Sequence, residues 1–344
     1  MRKWLGLVLA AVMVLFITGC RSTETESPDD SEEEEKIQIG MCFDSFVIER
    51  WQKDRDVFVS VAKELGAEVN VQNANGDVET QKEQIDYFIE KDVDVIVIVS
   101  IDDDELEDCV SRAKKAGIRV IAYDRLIDNA DVDLYISFDN EKVGKIMGEA
   151  LVDAGVSGGK VLMLGGSPTD NNVVLVEKGF REIMEENNIT ILDSTYADDW
   201  KAELAADYIY ANPDIVKEAD AIMCENDDMA TQVVRALSEI RLAGNKLVVG
   251  QDADLSACQR IVEGTQLMTV YKPVDKMAFK AAREAVALAN GEPIQDDDLI
   301  YIENGAYTVP YIALEPVAVN KDNMDEVIIS SGFHLKEDVY LNVQ

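Results

Sequence analysis

Histidine and basic side chains are scarce in this sequence. One histidine, His334, occurs among 344 residues, so catalysis by paired histidines and metal sites rich in histidine lack the residues they need. Lysine and arginine total 32 against 68 acidic residues, which gives a formal net charge of −36. A surface of this sign repels phosphate backbones, and we therefore expect no nucleic-acid partner.

Proline and glycine are also few, at 7 and 20 positions, while 47% of the residues are hydrophobic. This composition excludes fibrous and largely disordered chains. The length predicts about two domains, each able to bury its own core. The segment Gly165-Gly166-Ser167-Pro168 lacks the Gly-Lys-Ser/Thr ending of a phosphate-binding loop, so we expect no nucleotide or other cofactor. The consecutive acids at 102–104 and 296–298 indicate solvated loop charge, because neighbouring side chains point in different directions.

The N-terminus has the pattern of an export signal. Arg2 and Lys3 precede an apolar run from Leu5 to Ile17, which is too short for the roughly 20 residues of a membrane-spanning helix. The run ends in Ile17-Thr18-Gly19-Cys20, which resembles a bacterial lipobox. We predict a signal peptide at residues 1–19 and lipidation of Cys20. The alternative is a short signal anchor with an incidental cysteine.

Residues 20–35 are predicted to form an acidic, disordered tether, because after Cys20 they contain no large apolar side chain. Four further cysteines permit disulfides in an exported protein, but each lies in a separate strand or helix pattern. We interpret them as buried free thiols: Cys42, Cys109, Cys224 and Cys258.

From Lys36 onward, apolar runs alternate with helical spacing. Phe58, Val61, Ala62 and Leu65 mark one helix face, and the β-branched run 94–99 predicts a strand covered on both sides. The same order restarts after Phe138, with strands predicted at 160–164, 190–195, 221–224 and 247–250. Repeated βα units indicate two α/β domains built on doubly wound parallel sheets.

Polar side chains follow the ends of these strands, where open α/β sheets bind ligands. They are Asp44, Arg50-Trp51, Asp124-Arg125, Asp170-Asn171-Asn172, Asp198-Asp199-Trp200, Asn226-Asp227-Asp228, Gln251-Asp252 and Tyr271-Lys272. Carboxylate and amide acceptors beside Arg and Lys donors suit a polyhydroxylated ligand, and an indole packs well against a sugar ring.

Helix capping is the alternative for the acids that precede helices, and it is the preferred interpretation for Asp139, Asp227, Asp228 and Asp254. Ordinary core packing is the alternative for Trp51 and Trp200. Capping does not explain why Arg50, Arg125 and Lys272 recur at the same ends of the sheets.

Eight sequence blocks resemble one protein family. They are ERWQKDRD (49–56), VQNANG (71–76), AYDR (122–125), YISFDNEKVG (135–144), GGSPTDNN (165–172), GQDADL (250–255), TQLMTVYKP (265–273) and SGFH (331–334). Between Lys36 and His334 they resemble the D-xylose-binding branch of the type I periplasmic binding proteins, which are the sugar receptors of bacterial ABC importers. The sequence DDW (198–200) replaces the more usual Asp-Gly-Trp, and CEND (224–227) replaces a Ser-Asn-Asp type of sequence.

The resemblance implies an α/β fold of two doubly wound parallel-sheet lobes joined by a three-strand hinge. We expect an N-terminal lobe of residues 36–138 and 273–304, a C-terminal lobe of residues 139–272 and 305–344, and crossings near Phe138, Lys272 and Asn304. The implied sugar contacts are Arg50, Asp124, Arg125, Asp170, Asn172, Asn226, Asp252 and Lys272, with Trp51 and Trp200 on either face of the ring. Asp44 is left outside this set.

The resemblance implies a monomeric, non-enzymatic receptor, anchored outside the cytoplasm, that delivers a monosaccharide to an ABC permease. D-xylose is the expected ligand, while glucose, arabinose and ribose stay open. Alternatives are a sugar sensor that docks on a chemoreceptor or kinase, and an extracytoplasmic carbohydrate-active enzyme with two catalytic carboxylates. Arg and Lys beside the carboxylates disfavour the enzyme, because cations depress carboxylate pKa values. A sugar-responsive repressor would need a basic helix-turn-helix in place of the acidic N-terminus.

Overall fold

The computed structural model describes residues 36–48 and 50–343. The predicted signal peptide, Cys20 and the acidic tether therefore lie outside the described residues. Within the described ranges, each helix is either too short or too polar to cross a membrane.

Strands and helices alternate along most of the chain. The strands are β1 (Gln38–Phe43), β2 (Glu68–Asn73), β3 (Val95–Ile98), β4 (Arg119–Tyr123), β5 (Leu134–Phe138), β6 (Lys160–Gly165), β7 (Thr190–Tyr196), β8 (Ala221–Cys224), β9 (Leu247–Gln251), β10 (Met268–Tyr271), β11 (Leu299–Glu303), β12 (Thr308–Leu314) and β13 (Val317–Asn320). The α-helices are α1 (Arg50–Glu64), α2 (Val78–Glu90), α3 (Glu107–Lys115), α4 (Asn140–Asp153), α5 (Asn171–Glu186), α6 (Glu203–Ala211), α7 (Pro213–Glu218), α8 (Asp227–Glu239), α9 (Leu255–Glu263), α10 (Val274–Ala289) and α11 (Lys336–Val339).

Two sheets organise these elements. The first has the order β11-β12-β5-β4-β3-β1-β2, and the second has the order β13-β10-β9-β8-β6-β7. Neighbouring strands are parallel except at one edge of each sheet, where β11 pairs with β12 and β13 pairs with β10 in antiparallel fashion. The prediction of two doubly wound parallel sheets is confirmed. We call the part built on the first sheet the first lobe and the part built on the second sheet the second lobe.

Burial follows the sequence pattern. All four residues of β3, Val95–Ile98, are fully buried, as the β-branched run predicts for a strand covered on both faces. In the second lobe, α4 packs directly on α5 because glycines leave room for the two backbones. A Cβ atom on Gly144 would lie 1.9 Å from the Val176 carbonyl oxygen, and one on Gly179 would lie 1.9 Å from that of Glu141.

Between residues 36 and 343, apart from the undescribed residue 49, the chain passes from one sheet to the other three times. β5 ends in the first sheet at Phe138, β10 ends in the second at Tyr271, and the last passage lies between Leu314 of β12 and Val317 of β13. The expected crossing near Asn304 is therefore wrong, because residues 308–314 still belong to the first sheet, where β12 pairs with β5.

Asn304 instead begins the turn that joins β11 to β12. Its side chain accepts a hydrogen bond from the Tyr307 amide and donates to the carbonyls of Ile127 and Ala130, while Gly305 takes a left-handed φ of 100°. Asn-Gly is a dipeptide typical of hairpin turns, and here it reverses the chain direction within the first lobe.

The four cysteines of the described chain are free and buried, as predicted. Burial raises the pKa of the Cys42, Cys224 and Cys258 thiols well above the ordinary value, so these side chains stay protonated and behave as small apolar groups.

Candidate functional site

The ends of the strands bring the predicted contact residues of both lobes together. All ten are buried, with exposed fractions of 8% or less: Arg50, Trp51, Asp124, Arg125, Asp170, Asn172, Trp200, Asn226, Asp252 and Lys272. Buried charges require partners, because removing an ion from water costs several kcal/mol or more. The partners found here come from both lobes.

Arg125, the second residue after β4, forms ion pairs with acids of both lobes. Its Nη1 atom donates to Asp44 Oδ2 and to the Ser100 carbonyl oxygen of its own lobe, both at 2.9 Å. Its Nε atom lies 2.7 Å from Oδ2 of Asp170 in the second lobe. One guanidinium group therefore bridges the two lobes, and Asp44 belongs to the site.

Arg50, in the first turn of α1, is the second buried guanidinium group. Its Nη2 atom lies 3.2 Å from Asp54 Oδ1, one helical turn later, and 2.9 Å from Asp124 Oδ1. Across the cleft, Nη1 is 4.0 Å from Asp252 Oδ1. The Tyr123 hydroxyl donates to Asp54 at 2.5 Å, so the acid that holds Arg50 is itself held in place.

Asn172 is a further link between the lobes. Its Nδ2 atom donates to the Asp124 carbonyl oxygen at 3.1 Å and to Asp124 Oδ2 at 3.3 Å, while its Oδ1 atom accepts from Asn140 at 2.8 Å. The side chain of Asp170 caps α5 by accepting from the Asn172 amide. Capping and a place in the site are therefore compatible in this residue.

Asp252 follows β9 in a strained turn. Its φ is 96° and that of Ala253 is 56°, a left-handed conformation that costs free energy in residues other than glycine and is often found at functional sites. Asp252 Oδ1 lies 3.6 Å from Lys272 Nζ, beyond hydrogen-bonding distance, and has no hydrogen-bond partner within the described residues.

The two tryptophans lie close to the guanidinium groups. The Trp51 ring centroid is 4.4 Å from Cζ of Arg50 and 5.6 Å from that of Arg125, and the Trp200 centroid is 6.0 Å from the latter. The Trp200 Nε1 atom donates to Asp170 Oδ2 at 3.3 Å. Both side chains also pack in the hydrophobic core, as the alternative interpretation expects, and their contact with a sugar ring stays a prediction.

A sequence model described as the periplasmic binding protein domain matches residues 39–293. The chain belongs to the periplasmic binding protein family. The D-xylose-binding periplasmic protein of Haemophilus influenzae is 44% identical over 312 residues, which cover 88% of this chain and 92% of that protein. The Escherichia coli protein of the same description is 42% identical, over 88% and 93% of the two chains.

Solved structures agree with this assignment. An ABC transporter solute-binding protein from Clostridium phytofermentans with bound β-D-glucose has a TM-score of 0.79 at 28% identity, over 88% of this chain and 99% of that one. A solute-binding protein from Chloroflexus aurantiacus in complex with D-glucose has a TM-score of 0.78 at 25% identity, over 88% and 97%. The expected two-lobed fold of this binding protein is thus confirmed.

Burial dominates the electrostatics of the binding protein's cleft. It raises the pKa values of Asp44, Asp54 and Asp170, although arginines oppose the shift. For Asp124 burial is outweighed by Arg50, Lys272 and Arg125, and the pKa is lowered. The cations lower the carboxylate pKa values as expected, but the net shift is downward for Asp124 and upward for the other three, because burial outweighs the arginines there.

The acids assigned to helix capping behave differently from one another. Asp139 caps α4 by accepting from the Lys142 amide, as predicted. Asp227 does not cap α8, since Asn226 occupies that position and accepts from the Met229 amide. The Asp227 carboxylate instead accepts from Gln266 and Thr269 beneath the Asp252 turn.

Sequence reasoning missed several buried residues of the cleft. Asp54 could have been found from its spacing of four residues to Arg50, which places both on one helix face. Asn140 carries no such signal, and Glu225 stands out only as part of CEND (224–227), where this sequence departs from the family pattern. Glu225 is fully buried, accepts a hydrogen bond from the Gly166 amide, and its pKa is raised well above the ordinary value by burial.

Proposed function

We propose that this chain is a solute receptor that binds D-xylose between its lobes and delivers it to an ABC permease. Two relatives named D-xylose-binding periplasmic protein, at 44% and 42% identity over most of their length, support the ligand. The observation that carries the proposal is the bridging of the lobes by Arg125 to Asp170 and by Asn172 to Asp124, at the ends of both sheets.

The chemistry of the cleft supports a small polyol. Sugar hydroxyls both donate and accept, so they can pair with Asp252, whose Oδ1 atom lacks a hydrogen bond within the described residues, and with the similarly unpaired Nε1 atom of Trp51. Asn226 caps α8 with its Oδ1 atom, and its NH₂ group can donate to a sugar hydroxyl. Arg50 and Arg125 are held by neighbouring carboxylates, which limits the entropy lost on binding.

Binding and closure are coupled in this proposal. Each lobe supplies part of the site, so the sugar favours the arrangement in which both parts contact it. We propose a monomer that opens and closes about the segments after Phe138, Tyr271 and Leu314. Small-angle scattering should give a smaller radius of gyration with saturating D-xylose, and identical curves would contradict the closure.

We further propose that the protein is not an enzyme. Two relatives in the family are binding proteins by name, and the carboxylates of the cleft are paired with guanidinium groups instead of facing each other across an open site. Chromatography after incubation with xylose and xylosides should return them unchanged. Released xylose would favour the carbohydrate-active enzyme, and binding to a chemoreceptor or kinase would add the sensory role.

Lipidation of Cys20 is proposed from the sequence pattern alone. We expect mass spectrometry of the membrane-derived protein to find a lipid on Cys20 and no residues 1–19. Replacement of Cys20 by Ser should leave sugar binding intact while releasing the mature protein from the membrane or blocking its processing. An unmodified Cys20 in the membrane-derived protein would contradict the anchor.

Calorimetry with D-xylose, D-glucose, L-arabinose and D-ribose tests the ligand. We expect D-xylose to bind most tightly and Asp252→Asn to weaken it about ten- to hundredfold, because a buried partner of a hydroxyl is changed. Asp214→Asn is the matched control: this acid of the second lobe pairs with Lys217 on the surface and is 98% exposed. Tighter binding of D-glucose would overturn the xylose assignment.

A further inference from the structure

The segment Ser331–His334 lies outside the strands and helices that carry the sugar contacts. It follows a π-helical turn at Asp325–Ile329 and reverses at Gly332, whose φ is 74°. The Phe333 amide then donates to the Ile328 carbonyl at 3.2 Å. The reversal directs the next two side chains toward the loops that end β9 and β10.

His334 holds the turn that carries Asp252. Its Nε2 atom lies 2.8 Å from the Ala253 carbonyl oxygen. A carbonyl oxygen only accepts hydrogen bonds, so Nε2 is the protonated nitrogen in this contact. Ala253 is fully buried and, like Asp252, left-handed, which makes this carbonyl a fixed point of the strained turn.

Phe333 contacts the second loop. Its ring centroid is 4.8 Å from that of Tyr271, the residue before Lys272. On its other side lies Lys53 of α1, whose Nζ atom is 3.7 Å from the Phe333 centroid. This ring therefore touches the neighbour of a second predicted sugar contact and also reaches the first lobe.

Asp252 and Lys272 form the pair that these two contacts surround. Their side chains are 3.6 Å apart, and the residue next to each one is held by His334 or Phe333. A carboxylate in a left-handed turn needs a surrounding structure that enforces its geometry. The Asp252, Ala253 and Asp254 amides make further hydrogen bonds of the turn. The Ala253 carbonyl also accepts from the Cys258 thiol at 3.5 Å, so His334 makes the shorter of these two contacts to that carbonyl.

We propose that His334 and Phe333 are positioning residues of the sugar site, which hold Asp252 and Lys272 in the geometry that the sugar requires. The proposal rests on the proposed function and adds to it the part played by the C-terminal segment. Neither side chain needs to touch the sugar, since each acts through the backbone or ring next to a contact residue.

The test compares D-xylose affinities by calorimetry for His334→Ala, His334→Gln and the control Lys336→Met. His334→Ala removes the hydrogen bond, and we expect affinity about five- to tenfold weaker. Glutamine can still donate an N–H to the Ala253 carbonyl, so His334→Gln should recover most of the loss. Lys336 pairs with Asp325 on the surface of the same segment, and Lys336→Met should bind as the wild type does.

A second measurement separates positioning from a general structural role. In an Asp252→Asn background, His334→Ala should cause at most a small further loss, since both changes act on one contact. An equal, additive loss in that background would overturn the proposal, as would unchanged affinity in His334→Ala. If His334→Ala does not fold, Phe333→Leu takes its place, since leucine keeps an apolar side chain against Tyr271. Affinity about threefold weaker in this variant would support the proposal, and unchanged affinity would overturn it.

The proposed function fails in a different manner. A wild-type protein that binds none of the four sugars would refute the sugar receptor itself. A wild-type protein that binds D-xylose, together with His334 variants of equal affinity, would refute only the positioning role.

Discussion

The two lobes contribute differently to the cleft. In the first lobe, Arg125 is paired with Asp44, and Arg50 with Asp54 and Asp124, before any atom of the second lobe is considered. In the second lobe, Asp170 has its 2.7 Å ion pair with Arg125 of the other lobe, and Asp252 has Lys272 at 3.6 Å as its nearer cation. The arginines of the first lobe are thus paired within their own lobe, while Asp170 of the second lobe takes its cation from the other.

Replacement of Arg125 by Ala should have the largest effect on this arrangement. Asp44 and Asp170 would lose their shared buried cation, and breaking a buried pair costs about 3–5 kcal/mol. We expect D-xylose affinity to fall at least about a hundredfold. Calorimetry measures the change.

Arg119→Ala is the matched control for that variant. Arg119 begins the same strand, β4, and pairs with Asp133 at 3.0 Å, but its side chain is 46% exposed. Exposed pairs contribute about 0–1 kcal/mol, so affinity should not change. A similar loss in both variants would show that the bridge between the lobes has no special role.

The two tryptophans, one from each lobe, test the same difference between the lobes. Trp51 of the first lobe is 1% exposed and packs on Phe43, whose ring centroid is 6.1 Å away. Trp51→Ala should therefore lower the free energy of unfolding by about 3–5 kcal/mol. Trp200 of the second lobe lies in a short 3₁₀ turn and donates from Nε1 to Asp170, a predicted sugar contact, so Trp200→Ala should act more on affinity than Trp51→Ala and less on stability. Chemical unfolding without sugar and calorimetry with D-xylose separate the two effects, and equal losses of stability would contradict the distinction.

Asp103 offers a smaller, pH-dependent effect where the lobes meet. Its amide donates to the Thr169 carbonyl of the second lobe at 3.2 Å. Burial, followed by the charges of Asp128, Asp104 and Asp102, raises its pKa from 3.8 to about 7. The folded protein therefore binds the Asp103 proton more tightly than the unfolded chain does. The stability that this group contributes is fully present below about pH 4 and is lost as the pH rises through about 7.

Asp103→Asn removes that dependence. We expect its thermal midpoint, relative to that of the wild type, to be higher at pH 8 than at pH 4. Asp297→Asn, an exposed member of the other three-aspartate run, is the control. A difference between variant and wild type that does not change with pH would contradict the titration. The expectation of solvated loop charge at 102–104 thus needs amendment, since Asp103 is half-buried.

The alternation of strands and helices along the chain, and several strand ends, could be predicted because periodicity and β-branched runs report burial directly. The predicted strand at 221–224 has the observed bounds. The last crossing could not be found in this way. Residues 299–320 form three strands without an intervening helix, and the Asn304-Gly305 turn looks the same in a hairpin as in a link between lobes.

Within the site, residue types at strand ends identified the groups that meet but not their pairing. Arg125 could equally have paired within its lobe or across the cleft, because this depends on side-chain directions that one sequence does not encode locally. His334 stands out in the sequence only as a lone histidine and as part of the SGFH block, because its partner, the Ala253 carbonyl, belongs to the backbone and has no signature in the sequence.

The balance of charge in the cleft has a consequence for sugars that themselves carry charge. Among the described residues of the cleft, the buried acids outnumber the cations: Asp44, Asp54, Asp124, Asp170, Glu225 and Asp252 against Arg50, Arg125 and Lys272. A neutral pentose brings no charge into this acidic cleft and so adds no electrostatic repulsion. A carboxylate or phosphate on the same carbon skeleton would place another anion in a site where acids already outnumber cations. The receptor should therefore bind xylonate and xylose phosphates far more weakly than xylose, and so leave oxidised and phosphorylated pentoses outside the cell.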